Sequence, residues 1–127
     1  MTNLALTVKF KRGDFSLLVE ENISLENVTA LFGESGSGKT TLLRIIAGLE
    51  KKACGKVTLG KTCWQNDETK TFLPPYKRSV GYVFQDNRLF NHLNVEGNLR
   101  FGYDRSEAKN RVRFNDVVDA LDLSDLL

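Results

Sequence analysis

Between Gly33 and Thr40 the chain reads "GESGSGKT", so that Gly33 is followed after four residues by Gly38, Lys39 and Thr40. That spacing is the phosphate-binding loop GxxxxGK[ST], and each residue type has a job in it. Glycines let the backbone turn successive N–H groups toward phosphate oxygens, and a helix that starts directly afterwards adds its partial positive charge. Lys39 supplies a mobile ammonium for β- and γ-phosphates. Thr40 supplies a hydroxyl oxygen of the hard kind that Mg²⁺ takes, and Thr41 a second hydroxyl for the α-phosphate. The expected nucleotide-binding set is therefore Gly33, Glu34, Ser35, Gly36, Ser37, Gly38, Lys39, Thr40 and Thr41. A chance match in a chain of this size is on the order of half a percent, which favours a real nucleotide site over a glycine-rich turn.

A phosphate loop works only between a strand and a helix, and the flanking residues supply both patterns. "VTALF" (Val28 to Phe32) is almost wholly apolar, the pattern of a strand buried on both faces of a parallel sheet. After the loop, Leu42, Ile45, Ile46 and Leu49 recur at helical spacing, predicting a helix from about Gly38 to Ala47 with Gly48 placed to end it.

Further out, "LALTVKF", "FSLLVE" and "ISL" read as short strands of an antiparallel meander that turns at Arg12-Gly13-Asp14. "GKVTLGKTCW" reads as a hairpin turning at Gly60-Lys61, a pair suited to a type II′ turn. "LPP" stiffens the approach to a further apolar strand, "VGYVF" (Val80 to Phe84). The last third is expected to be helical. One short helix covers Val95 to Tyr103, and a second runs from Ser106 to about Leu121 with Phe114, Val117, Val118 and Leu121 as its apolar stripe. Ser124 reads as the cap of yet another helix, so the C-terminus looks cut rather than finished.

Composition narrows the function classes. At 127 residues and 41% hydrophobic the chain supports one modest core, a domain or a piece of one. Eighteen basic against 16 acidic residues leave a net charge of +2, which points to no nucleic-acid or anionic-membrane partner, so an anion must be held by a local site. No run approaches the roughly 18 apolar residues that span a bilayer, and the N-terminus lacks the apolar stretch of a signal peptide. A cytosolic chain is expected. Cys54 and Cys63 stand nine apart with one histidine, His92, in the whole sequence, which argues against a zinc framework.

Two longer stretches carry a resemblance. "FGESGSGKTTLLRIIAGLE" (Phe32 to Glu50) resembles the Walker A segment of ATP-binding cassette (ABC) transporter ATPases, and "LPPYKRSVGYVFQDNRLFNHLNVEGNLRFGY" (Leu73 to Tyr103) resembles the Q-loop region of the importer branch. With "RGDFSLLVE" they are similar to the ATPase subunit of molybdate importers. The resemblance implies an α/β P-loop NTPase fold, incomplete here. Residues 1–94 would form an antiparallel β-subdomain with the Walker A and Q-loop core, and residues 95–127 would begin the helical subdomain. It implies ATP and Mg²⁺ as ligands, with Thr40 and the Q-loop glutamine, Gln85, on the metal or a nearby water. The implied partners are a second ATPase subunit and an integral-membrane permease, met by Asp86 to His92. The implied place is the cytoplasmic face of the inner membrane, peripherally held.

That family completes its chemistry with parts this sequence does not show: an "LSGGQ" signature, an apolar strand ending in Asp-Glu, and a switch histidine later in the chain than His92. Binding without efficient hydrolysis is the expectation, since positioning the nucleophile falls to those parts. "VTALF" would also lack its later parallel neighbours, an open edge that invites association. No aromatic stands at the usual adenine-stacking position near Arg12. Phe10 and Phe15 are candidates that serve equally as strand core, and Trp64 reads as packing. Competing possibilities are a non-hydrolytic nucleotide-binding module, an ATPase of a sulfate, polyamine or sugar importer, and an unrelated small kinase or GTPase.

Overall fold

Leu4, Leu6, Val8 and Phe10 alternate with Ala5, Thr7 and Lys9. In a computed structural model, which describes residues 2–107 and 111–127, this run lies in β1, Thr2–Arg12, with its four large apolar side chains buried. Gly13 (φ 57) and Asp14 turn the chain into β2, Phe15–Leu25, which pairs antiparallel with β1 along its whole length. The expected meander is thus one long hairpin. Ile23 to Leu25 continue β2 because Thr2 to Leu4 of β1 extend far enough to pair with them.

β3 (Cys54–Leu59) pairs with the other edge of β1, and Gly60-Lys61 then lead into β4 (Thr62–Asn66) as expected, with the positive φ at Gly60 alone. A short β5, Thr71–Phe72, closes an all-antiparallel sheet in the order β2-β1-β3-β4-β5. β4 carries one residue more than β3 between its pairs Val57–Gln65 and Thr58–Cys63. This bulge is why the consecutive residues Trp64 and Gln65 are both buried where a regular pleat would bury one.

One helix covers the apolar face. α1, Lys39–Ala47, begins and ends where its pattern predicts, with Gly48 in the left-handed conformation (φ 81) as C-cap. Leu42 and Ile45 pack onto Leu6, Val8, Val57 and Trp64 in a single core. The chain divides into two units, Met1–Tyr82 and Val83–Leu127, and sheet and α1 belong to the first.

The two apolar runs read as parallel strands are not strands. Residues 28–34 and 80–84 form no strand, and Val28 (90%), Phe32 (90%) and Val83 (96%) face solvent. An isolated strand has no ladder to satisfy its N–H and C=O groups, so an apolar run cannot become one without neighbours.

In the second unit α2 spans Val95–Arg105, capped by the Asn94 side chain, which accepts from the Gly97 N–H at 2.8 Å. α3, Phe114–Ala120, is shorter than expected, and the expected start at Ser106 is corrected. Ser106 ends α2 in an extended conformation and Arg113, also extended, precedes α3, while residues 108–110 lie outside the described residues. The Tyr103 and Phe114 rings meet edge to face at 5.6 Å, joining α2 to α3. Ser124 caps no helix. It starts a single 3-10 turn, Ser124–Leu126, and its hydroxyl donates to Asp119 Oδ1 at 3.3 Å.

Candidate functional site

Two glycines set the shape of the loop before α1. Gly36 (φ 80) and Gly38 (φ 101) both take left-handed backbone, and a turn closes between them and Gly33 through the Ser37 N–H bonded to Glu34 O at 3.1 Å. At Gly38 the need for glycine is doubled, because a Cβ there would sit 2.8 Å from Phe15 Cζ and 3.2 Å from Leu17 Cδ1. Phe15 is therefore packing beneath the loop. Phe10 is buried core with the Arg12 guanidinium over its ring at 5.2 Å.

Lys39 is the first residue of α1. Its ammonium donates to Gly33 O at 2.7 Å, Glu34 O at 2.6 Å and Ser37 Oγ at 3.3 Å, so the cation is fixed on the loop it follows. The first intrahelical bond runs from the Leu42 N–H to Gly38 O at 2.8 Å, which leaves the amides of Lys39, Thr40 and Thr41 without a recognised acceptor among the described residues. Gly38 offers no side-chain cap and the first turn has no acid to neutralise these amides, so positive potential gathers here. Thr40 is exposed and Thr41 half-buried. Gly33 to Thr41 are thus one continuous element of the first unit. The arrangement can hold an anion with several oxygens.

The other end of α1 is held by two charge clusters that sequence inspection missed. Arg78, 4% exposed, donates to the carbonyl oxygens of Leu73 (2.7 Å), Ile46 (2.8 Å), Ile45 (3.1 Å) and Trp64 (3.5 Å), and its guanidinium lies over the Phe72 and Trp64 rings. Burial pushes its pKa down, while the carbonyl end of α1 favours the cation. Glu50, also buried, accepts from Arg44 Nε at 2.8 Å and from Arg12 at 3.1 Å. Burial by itself raises this carboxyl, but the hydrogen bond from Arg44 and the charges of Arg44 and Arg12 outweigh it and hold the pKa below the usual value. These clusters anchor α1 and with it the loop. No local pattern in the sequence announces either one.

Gln85 and Asp86 to His92 lie in the second unit, and all are exposed. Around Gln85 the chain is clipped. Arg88 lies 4.5 Å over the Phe84 ring and pairs with Asp86 at 3.1 Å. His92 is a ring neighbour of Phe90 at 5.8 Å. Cys54 and Cys63 are both free thiols, and among the described residues no cluster of histidine, cysteine or acid could hold a metal by itself. Among the same residues no helix is long and apolar enough to cross a membrane.

Against known families, a model described as ABC transporter matches residues 18–127. The chain is 43% identical over 127 residues to the molybdenum import ATP-binding protein ModC of Albidiferax ferrireducens and 45% identical over 127 residues to that of Pseudomonas fluorescens. It is 48% identical over 113 residues to the protein of that name from Methylococcus capsulatus. These matches take in 99%, 98% and 89% of the chain, and 34%, 35% and 31% of the respective relatives. The chain spans about a third of the length of the curated relatives it matches.

Proposed function

Because the chain belongs to the ABC transporter family, we propose that residues 33–41 bind the polyphosphate of ATP, and that the protein supplies the ATP-binding part of an importer ATPase for molybdate. The observation that carries the proposal is the start of α1. A left-handed glycine, three free amides and one lysine ammonium meet within a single turn, with no acid among them. The backbone amides and the helix dipole bind phosphate oxygens, and Lys39 exchanges the carbonyls it now holds for β- and γ-phosphate.

Mg²⁺ fits the donors present. Thr40 offers an exposed hydroxyl at the helix start, a hard ligand of the type this ion takes alongside water, and in the other unit Gln85 carries an exposed amide oxygen of the same hard type. When bound, the ion offsets charge on the phosphates. The names of the relatives, molybdenum import ATP-binding proteins, support an importer role; the proposal adds molybdate as the solute, a membrane permease that meets Asp86 to His92, and a helical subdomain beginning near Val95. Pairing with a second ATPase subunit and peripheral attachment at the cytoplasmic membrane face complete the proposal.

Calorimetric titration with ATP and Mg²⁺ tests it. Wild type is expected to bind, and Lys39→Ala to weaken binding at least about tenfold, since a charge-assisted phosphate contact contributes roughly 1.5–3 kcal/mol. No heat from wild type, or equal affinity for both proteins, refutes the assignment.

A further inference from the structure

Asparagine inside a helix ordinarily competes with the helix for hydrogen bonds, so a side chain at such a position calls for a partner. Asn98, on the second turn of α2, has four. Its Oδ1 accepts the Phe90 N–H at 2.8 Å, and its Nδ2 donates to the carbonyl oxygens of Asn94 (2.9 Å), Phe90 (3.2 Å) and Leu93 (3.2 Å). One amide thus satisfies both backbone groups of Phe90, as a neighbouring strand would. The Phe90 ring lies 4.5 Å from Phe101, one turn further along the same helix.

Upstream, the Arg88 guanidinium is held over Phe84 and bonded to Asp86. Leu89 stands between these two anchors and is 66% exposed. An apolar side chain held out from a loop fixed on both sides suits docking, because the ordering cost has been met before the partner arrives.

We propose that Asn98 is a positioning residue that fixes the loop Asp86 to His92, with Leu89 presented, in the shape that receives the membrane permease. The proposal rests on the partner assigned above. It adds that the docking shape is imposed by α2 through a single amide.

The experiment uses the 127-residue chain with phospholipid vesicles that contain a molybdate permease, and empty vesicles as the control. Asn98→Ala is expected to weaken permease-dependent co-sedimentation roughly tenfold and to speed amide exchange at Phe90 and Leu93. Affinity for ATP measured without Mg²⁺, which rests on residues 33–41 of the other unit, should not change. Asn98→Asp keeps the acceptor for the Phe90 N–H but loses the donors, so it should retain exchange protection at Phe90 and fall between the two in vesicle binding. Equal binding by wild type and Asn98→Ala overturns the role of Asn98 alone. A parallel loss of ATP affinity overturns it too, by showing general damage. If wild type binds permease vesicles no better than empty ones, the partner assignment falls with it, while the ATP proposal is judged separately by calorimetry.

Discussion

Replacing Arg78 with methionine removes four hydrogen bonds and one buried charge while keeping most of the stem's volume. Two of the four acceptors keep another donor: Ile45 O the Gly48 N–H at 3.0 Å, and Trp64 O the Leu73 N–H at 2.7 Å. Leu73 O and Ile46 O, each within 2.8 Å of the guanidinium, have no other recorded donor among the described residues. Leaving a buried carbonyl unsatisfied costs about 1–3 kcal/mol, and part of that is offset because the charge no longer has to be desolvated. A net loss of about 2–4 kcal/mol follows, large for a small domain. With a urea slope of about 1–3 kcal/mol per molar, the midpoint should fall by about 1–2 M. Trp64 is the only tryptophan, is buried, and lies 5.7 Å under the guanidinium, so its fluorescence reports unfolding of this unit alone. Arg78→Lys should recover less than half, since one ammonium cannot reach acceptors spread around a planar fork. A midpoint for Arg78→Met within about 0.3 M of wild type, given the slope above, would refute the anchoring role.

Gly38→Ala forces a side chain into left-handed backbone against the Phe15 ring, so it should cost about 1–2 kcal/mol and weaken ATP binding. Gly36→Ala meets open space and should cost less in the same urea and calorimetric measurements, and equal effects would sink the steric argument. For Glu50 the folded pKa lies below its ordinary value of 4.5. Its contribution is therefore fully present above that value and is lost as pH falls through the lower, folded one. Glu50→Gln should be less stable than wild type by about 2 kcal/mol at pH 7, and the gap should close once the pH has fallen through the lowered pKa of the folded state. A gap independent of pH in urea titrations would contradict the ion pairs.

What could be read from the sequence was what neighbouring residues decide among themselves. Leu4 to Phe10 alternate and form a strand with those side chains buried. Leu42 and Ile45 recur at helical spacing and pack on the sheet, and the turn at Gly60 falls where expected. "VTALF" and "VGYVF" have equally strong apolar patterns, yet a strand is a relation between two segments, and their side of the relation is all that a run of five residues contains. The loop Gly33 to Thr41 was legible for a related reason, since its residues are consecutive in the chain and their spacing is the motif. Its supports were not. Arg78 reaches Ile45 and Ile46 across more than thirty residues, and Arg12 reaches Glu50 across 38, so nothing in either neighbourhood marks those side chains as buried and bonded. Asn98 gave a faint signal, a poor helix former in the middle of a helical stretch, and its four bonds supply the reason. Local pattern thus located the loop proposed to meet phosphate, whereas the contacts that hold that loop in place had to be read from the folded chain.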